Sequence, residues 1–356
     1  MYQDTDGPHY SYNNFLIFKY SFIHLLEGRD LYLYHPDHYY DLYKYSPTFA
    51  VLIAPFAILP DIPGLILWNV LNCIVVFLGI WKFPNFSSKA KVLCFWFVVH
   101  ELLLATQSSQ SNALIAGLII LAYHQMEKKN VHWASLLLVI GFFIKPFVLV
   151  AFAMWLFFDK KWQFIAYTIG WGILLALSPL IFVSYDQFIF LYKSWLNLLA
   201  NDHSVSYGLS LMGMLKAVFD LDAKLYILGI GAVLFCIPMM RIHQYKSLLF
   251  RQLFLASILI WIIIFNHRAE SQTFIIAICG VAIWYFSQPY KPFNLVLLIF
   301  CLYITQLTSS EVFFPQSIRR SFIDLYEIKA LPCIIIWFLV LYDLTFKKFQ
   351  DYALKL

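Results

Sequence analysis

Long apolar segments alternate with short polar gaps along most of this 356-residue chain. A helix that crosses the hydrocarbon core of a membrane needs about 17 to 25 mainly apolar residues, and interfacial aromatic residues can supply part of that length. This spacing predicts about eleven transmembrane helices. They cover residues 64–81, 92–106, 110–126, 131–144, 146–158, 162–184, 224–240, 247–266, 271–287, 292–308 and 330–346. The fourth and fifth segments are short, so they are either two separate spans or one kinked pair.

The polar gaps are of two kinds, and the two kinds alternate. One kind is basic and holds Lys82, Lys89, Lys91, Lys128, Lys129, Lys160, Lys161, Arg241, Lys246, Arg251, Lys291, Lys347 and Lys348. Lysine and arginine concentrate in cytoplasmic loops, so these gaps are predicted to be cytoplasmic. The other gaps, rich in amides, carboxylates and histidine, are then extracytoplasmic; they are the stretch to about residue 63 and residues 107–112, 145, 185–223, 266–271 and 309–329. Arg319 and Arg320 fall on the outer side against the rule.

The first 63 residues are predicted to lie on the outer face. Residues 12–26 give a helix with an aromatic face, ended by Gly28, and such a helix is typical of the membrane interface. The apolar stretch 47–59 is too short to cross and contains a proline, which favours an interfacial or re-entrant helix. Met1 opens directly into polar sequence, so either a first transmembrane helix is missing upstream or later spans carry this tail across.

These patterns predict an all-α, polytopic transmembrane helix bundle that forms one integral membrane domain over residues 1–356. The domain has an outer tail at 1–63, the bundle at 64–346 and a cytoplasmic tail at 347–356. Composition agrees, because 62% hydrophobic and 13% charged residues leave too little polar surface for a soluble protein. The net charge of +5 comes largely from short loops, so membrane lipids and not nucleic acid are the expected partners. All six cysteines lie in apolar segments, where packing is the expected role.

Several short pieces in this order resemble glycosyltransferase family 87. They are NNFLIFKYSFIHLLEGRDLY (13–32), KYSPTFAVLIAPFAILPD (44–61), a tryptophan-led span from Trp68, QSNALIAGLIIL (110–121), FFIKPFVLVAF (142–152) and NDHSVSYGLSLMG (201–213). The resemblance extends over about residues 13–290. It implies the C-type glycosyltransferase fold in a bacterial plasma membrane.

The same resemblance implies transfer of a mannose-like hexose, with inversion, from a polyprenyl-phosphate sugar donor to an extracytoplasmic glycan or lipid acceptor. It implies no cofactor, and it leaves dependence on a metal open. In one respect the sequence departs from the family. The family commonly has an aspartate just before the phenylalanine of the first outer helix, the usual place for the catalytic base, and here that position is Asn14.

A transferase of this kind needs a carboxylate or histidine to accept the proton of the acceptor hydroxyl. Asp4 and Asp6 lie in the outer tail and are candidates for this base, although they also fit a solvated acidic tail. Asp202, beside His203, follows an amphipathic stretch on the outer side. An exposed helix cap explains that pair equally well.

The leaving phosphate needs cations or amide donors. Lys145 is the leading candidate, because it interrupts a mainly apolar stretch and Pro146 breaks the helix beside it. Its alternative role is an anchor that extends to lipid headgroups. His267 and Arg268 are expected to help Lys145 hold the phosphate, although short loops often carry charge. Lys44 is a further candidate, for contact with either the donor phosphate or lipid headgroups.

Six further polar residues on the outer side are candidates for binding the substrates, and each also fits a plain cap or loop role; they are Asn14, Tyr45, Gln110, Asn112, His203 and Glu270. His100 and Glu101 lie inside a span, where mutual or structural pairing is expected. The alternative to an enzyme is a non-catalytic protein that binds or translocates a lipid-linked sugar. This alternative stays open because Asn14 stands where the family commonly has its aspartate.

Overall fold

The computed structural model describes residues 12–201, 206–309, 314–315, 317, 321 and 323–349. These residues fold into helices joined by short connections, and they contain no β-strand. The α-helices are α1 (Asn13–Leu26), α2 (Pro47–Leu52), α3 (Ala54–Ala57), α4 (Asp61–Trp81), α5 (Ser88–Gln107), α6 (Asn112–Glu127), α7 (Val131–Ile144), α8 (Lys161–Ala176), α9 (Tyr185–Asn201), α10 (Leu211–Phe219), α11 (Lys224–Cys236), α12 (Leu248–Ile264), α13 (Phe274–Phe286), α14 (Pro292–Cys301) and α15 (Leu331–Phe346). The 3₁₀ and π segments are Pro146–Phe157, Ser178–Ile181, Ile237–Met240, Ile242–Gln244, Ser271–Thr273, Leu302–Gln306, Leu307–Ser309 and Ile328–Ala330.

Each of the eleven predicted apolar segments is a helical segment with nearly the predicted ends. The fourth and fifth are separate elements, α7 and the 3₁₀ helix Pro146–Phe157, because the backbone at Lys145 is extended (φ −140°, ψ 113°) and cannot continue the helix. Residues before a proline avoid the helical region, which explains the break at this position. The two elements pack closely, since a Cβ on Gly141 would lie 3.1 Å from Val148.

Four of the helical segments in the described residues are long and apolar enough to cross a membrane by themselves; they are Asp61–Trp81, Ser88–Gln107, Lys161–Ile181 and Ile328–Phe346. Other apolar helices are shorter. The 14 residues of α7, for instance, extend about 21 Å at 1.5 Å per residue, against a hydrocarbon core of about 30 Å. The helical fold is confirmed, while the figure of about eleven crossings stays a prediction.

The two kinds of polar gap lie at opposite ends of the central helices. Three lysine-rich gaps, at residues 126–131, 157–160 and 245–251, surround one cavity, which we call the basic-end cavity. Polar gaps of the other kind surround a second, larger cavity. Helices α6, α7, α12 and the 3₁₀ helix Pro146–Phe157 each run from one cavity to the other. For these gaps the predicted alternation is therefore present in the fold, and which end faces outward stays a prediction.

The N-terminal helix α1 is enclosed more fully than its sequence pattern indicates. Its end is as predicted, with Gly28 in the left-handed region (φ 69°). The four consecutive residues Phe15 to Phe18 are all buried, so more than one face is covered. Phe18 makes edge contacts with Tyr45, Phe49 and Trp68 at centroid distances of 4.9 to 5.6 Å. Protein rather than lipid thus covers most of this helix.

The apolar stretch 47–59 forms the two short helices α2 and α3, of six and four residues. Ser46 caps α2 by accepting a hydrogen bond from the Phe49 amide, and Pro47 occupies the first turn. Two helices this short do not cross a bilayer, in agreement with the prediction. All six cysteines are unbridged; four are buried, but Cys236 is exposed and is not a core packing residue.

Glu101 forms a buried ion pair, but with Lys329 and not with His100. The Lys329 ammonium lies 3.1 Å from Glu101 Oε1, and the two side chains are 5% and 0% exposed. The same ammonium donates to the Ser271 hydroxyl at 2.5 Å. The predicted structural pairing is confirmed with a different partner, 228 residues away.

Replacing Lys329 with methionine should lower the free energy of unfolding by about 3–5 kcal/mol, because the change leaves the Glu101 carboxylate buried without its partner. The double variant Glu101→Met, Lys329→Met should regain most of that loss. Thermal unfolding in detergent measures both. Lys347→Met, which removes an i,i+4 pair with Asp343, is the control and should cost about 0.3–0.5 kcal/mol. A double variant no more stable than Lys329→Met would contradict this account.

Candidate functional site

The larger cavity has a volume of about 570 Å³ and lies where α1, the loop before α2, the α7 break and the α12–α13 connection meet. Its lining is mixed, with polar groups from five loops and apolar side chains from helix ends. The lining residues are Asn14, Ile17, Phe18, Asp41, Leu42, Lys44, Tyr45, Gln110, Ile144, Lys145, Pro146, Phe147, Leu199, Ser206, Asn266, His267, Arg268, Ala269, Glu270 and Thr273.

Most of the residues predicted for the site meet in this cavity. Eight of the thirteen line it: Asn14, Lys44, Tyr45, Gln110, Lys145, His267, Arg268 and Glu270. Asn112 lies directly behind it, in hydrogen-bond contact with Lys145. The remaining four candidates, Asp4, Asp6, Asp202 and His203, lie outside the described residues.

Lys145 occupies the break between α7 and the following 3₁₀ helix. Its ammonium donates to Asn112 Oδ1 at 2.6 Å and lies 5.9 and 5.8 Å from the ring centroids of Tyr45 and Phe147. Aromatic faces at this distance stabilise a cation. The ammonium therefore points into the cavity, which favours the phosphate-binding role over a lipid-headgroup anchor.

A chain of two side-chain amides connects Lys145 to Glu270. Asn112 accepts from Lys145 and donates through Nδ2 to Gln110 Oε1 at 2.5 Å and to the Gln272 carbonyl at 3.1 Å. Gln110 in turn donates to Glu270 Oε2 at 3.0 Å. The backbone carbonyl of Gln272 fixes the orientation of the Asn112 amide, so that its oxygen must face the ammonium. We call Lys145, Asn112, Gln110 and Glu270 the amide relay.

Burial determines the protonation of Lys145. Removal from water lowers the pKa of its ammonium to about 8, and the negative charge of Glu270 acts in the opposite direction. Glu270 also accepts from Gln272 Nε2 at 2.7 Å. The carboxylate is thus held by two amides and balances the charge of Lys145 from a distance.

Asp41 is a cavity residue that the sequence reasoning missed. Its backbone is in the left-handed region (φ 80°), and its carboxylate accepts from the Leu42 amide at 2.7 Å and lies 3.4 Å from the Lys44 ammonium. Asn13 fixes the preceding residue, because its side chain exchanges two hydrogen bonds with the Tyr40 backbone. The Asp41 side chain is 64% exposed. An aspartate suits this conformation. In the sequence, only its place three residues before Lys44 indicates that Asp41 could lie near the candidate site.

Asn14 has a structural role beside the cavity. Its Nδ2 donates to the Ser108 carbonyl at 2.8 Å, and Trp68 Nε1 donates to the next carbonyl, Ser109, at 2.9 Å. Ser109 has a positive φ of 52°. These two donors hold the turn that presents Gln110 to the cavity.

The α12–α13 connection presents His267 and Arg268. The Asn266 side chain accepts from the Arg268 amide at 2.9 Å, and Leu209 donates to the Ala269 carbonyl at 2.8 Å. Gly208 allows this close approach, because a Cβ there would lie 2.8 Å from both the His267 oxygen and the Ala269 nitrogen. Its φ of 60° also requires glycine.

The surroundings of His267 and Arg268 determine which of the two side chains carries a charge. Burial and the nearby Lys224 lower the pKa of His267, so its imidazole is neutral at pH 7. Burial also lowers the pKa of Arg268, against the effect of Asp41, but a guanidinium stays charged. Three cations, Lys44, Lys145 and Arg268, and two carboxylates, Asp41 and Glu270, thus line the cavity. That combination suits an anionic ligand with hydroxyl groups.

A cavity lined by three cations and two carboxylates, in an apolar helical bundle, fits a membrane-bound transferase of an anionic group. The chain belongs to glycosyltransferase family 87, whose sequence model matches residues 43–264. The protein is therefore a transferase enzyme, and a non-catalytic role is set aside. A search of the curated proteins finds no match.

The family match covers part of the site. Lys44, Tyr45, Gln110, Asn112 and Lys145 lie within residues 43–264. Asn14 and Asp41 precede the match, and His267, Arg268 and Glu270 follow it. The match is shorter than the resemblance over 13–290, so the roles of these flanking residues rest on the cavity alone.

Proposed function

We propose that the protein transfers a mannose-like hexose from a polyprenyl-phosphate carrier to a glycan or lipid acceptor on the outer face of the membrane, with inversion. The observation that supports this most strongly is the Lys145 ammonium in the cavity. No glycine lies among the described residues that line the cavity, so this lining holds no glycine-rich phosphate cradle of the kind found in P-loop and Rossmann nucleotide sites.

The reaction is a single displacement at the anomeric carbon of the donor. The acceptor hydroxyl gives its proton to a carboxylate, its oxygen forms the new bond to the anomeric carbon, and the bond from that carbon to the phosphate oxygen breaks. Lys145 and Arg268 hold the charge that develops on the departing polyprenyl phosphate. Lys44 is proposed to bind the same phosphate as a further cation, and His267 as a neutral hydrogen-bonding group.

Asp41 is the carboxylate of the described residues best suited to be the base. Glu270 has two amide donors on the same oxygen and balances Lys145, whereas Asp41 is exposed to the cavity on a loop. Asp4, Asp6 and Asp202 stay alternatives for this role. The sugar or its phosphate is proposed to contact Tyr45, Gln110 and Asn112. Asn14 holds the turn that carries Gln110, and His203 is proposed to contact the acceptor.

The test is conversion of radiolabelled polyprenyl-phosphate mannose by the purified protein, with extracted membranes as the source of acceptor. We expect label in a new glycosylated product and release of polyprenyl phosphate. Transfer from a nucleotide sugar under the same conditions, with none from the lipid donor, would refute the proposal. Polyprenyl-phosphate glucose, tested in parallel, reports on the choice of hexose.

The rate should fall as pH rises through about 8, because the pKa of Lys145 is lowered to about 8 and only its protonated form holds the phosphate. The profile of kcat/KM for the donor reports this pKa, since it reflects the free enzyme. Glu270→Gln removes the charge that raises the pKa, so the decline should move to lower pH. The control Asp37→Asn changes a carboxylate outside the cavity and should leave the pH midpoint of kcat/KM where it is in the wild type. The same midpoint in Glu270→Gln as in the wild type would contradict the amide relay.

A further inference from the structure

The basic-end cavity lies at the opposite end of α6, α7 and α12 from the candidate active site. It has a volume of about 330 Å³ and is built from the α6–α7 connection, the start of α8 and the segment before α12. Its lining residues are Met126, Glu127, Lys129, Val131, Phe157, Phe158, Asp159, Lys160, Tyr245, Lys246 and Arg251. The proposed transferase chemistry does not use any of them.

A rigid ion pair forms one wall of this cavity. Arg251 binds both oxygens of Glu127, with Nε to Oε1 at 2.7 Å and Nη2 to Oε2 at 2.8 Å. Its Nη1 donates to the carbonyls of Tyr245 and Lys246, and its guanidinium lies 5.5 Å from the Phe158 ring centroid. This pair is charge-neutral, and it fixes the three segments relative to one another.

The other charged groups of the lining are mainly positive. Lys129, Lys160 and Lys246 face a single carboxylate, Asp159, which leaves two positive charges once the ion pair is set aside. Lys160 also donates to the Lys129 carbonyl at 3.3 Å and so holds two of the segments together. All three lysines are exposed, so they can reach a ligand in the cavity.

Two helices begin at this cavity without a cap from their own side chains. Asn130 precedes α7 and Lys160 precedes α8, and neither side chain accepts a hydrogen bond from the first turn. The Asn130 amide instead donates to Gln125 at 3.1 Å. The amide groups and the positive ends of two helices of 14 and 16 residues therefore add to the attraction for an anion.

Two tryptophans place the cavity at the depth of lipid headgroups. Trp133 and Trp162 lie in the first turns of α7 and α8 and are 54% and 83% exposed. Exposed tryptophans of membrane helices concentrate at the boundary between hydrocarbon and headgroups. A cavity at this boundary is open to an anionic lipid headgroup, whose acyl chains can lie beside the apolar surface of α8.

We infer that the basic-end cavity is a binding site for the phosphodiester headgroup of an anionic phospholipid. The lysines and the two helix N-termini bind the phosphate. The site is distinct from the transfer site and does not rest on the proposed function. A bound lipid would brace α7 and the 3₁₀ helix Pro146–Phe157, which meet at Lys145 at their far ends.

The experiment uses the full chain in a neutral detergent and counts bound lipids by native mass spectrometry. Phosphatidylglycerol should bind about ten- to thirty-fold more tightly than phosphatidylcholine, as two net basic charges at a membrane surface predict. The triple variant Lys129→Gln, Lys160→Gln, Lys246→Gln should lose this preference. The variant Lys89→Gln, Lys291→Gln, Lys348→Gln removes the same charge from exposed lysines outside the cavity and should retain it.

Equal loss in both triple variants would overturn the site, because it would show a general effect of surface charge. Inorganic phosphate is the second probe. If millimolar phosphate displaces phosphatidylglycerol and raises the melting temperature to the same extent, the cavity is a free-phosphate site and the lipid assignment is wrong. If phosphatidylglycerol raises the melting temperature of the wild type and of the control variant but not of the cavity variant, the inference stands.

Discussion

Replacing Lys145 with glutamine should lower kcat for sugar transfer by about 100- to 1000-fold, the usual effect of removing one preorganised donor to a developing oxyanion. The glutamine amide can still donate to Asn112 Oδ1, so the buried asparagine keeps a partner and the fold is expected to survive. The change therefore isolates the positive charge. Initial rates with radiolabelled polyprenyl-phosphate mannose measure the effect.

The matched control for this prediction is Lys193→Gln, which removes an exposed lysine on α9 outside the cavity. It should leave the rate unchanged. Melting temperatures of both variants should stay close to that of the wild type. A Lys145→Gln enzyme with normal kcat and a normal melting temperature would exclude Lys145 from the phosphate site.

Asp41→Asn should lower kcat by about 100- to 10,000-fold, the range for loss of a general base, with little change in KM for the donor. Asparagine tolerates the positive φ at this position nearly as well as aspartate, so the loop keeps its shape. What the variant loses is the ability to accept a proton. Steady-state kinetics separates this effect from weaker binding.

Asp37→Asn provides the comparison for Asp41, because it changes an exposed aspartate of the same loop that does not line the cavity. Near-normal activity is expected. If Asp41→Asn retained wild-type kcat, the base would have to be sought among Asp4, Asp6 and Asp202, and each asparagine variant would then be assayed in turn.

The sequence predicted the helices well because their ends are set by local chemistry. Apolar runs, lysine-rich gaps and prolines act over a few residues, and α7 has the predicted bounds. Lys145 was found for the same reason, since a cation in an apolar stretch beside a proline is visible in the sequence alone. The amides at Gln110 and Asn112 stood out in the same way, at the start of a span.

Contacts between distant segments could not be predicted in this way. Asp41 lines the cavity on a loop that Asn13 holds through two hydrogen bonds to the Tyr40 backbone. Lys329 pairs with Glu101 across 228 residues, and periodicity carries no information on such a contact. The enclosure of α1 depends on how α2, α3 and α4 fold over it, so its aromatic residues suggested an interfacial helix where the protein itself provides the cover.

The two side-chain amides between Lys145 and Glu270 determine how many hydrogens of the Lys145 ammonium are left for the phosphate that is proposed to bind there. One of the three ammonium hydrogens goes to Asn112, and among the described residues no other acceptor takes the remaining two. A carboxylate in direct contact would have occupied them and would compete with every ligand. If Lys145 binds the donor phosphate as proposed, a counter-charge two side chains away keeps the buried ammonium from being an isolated cation and leaves two of its hydrogens for the phosphate.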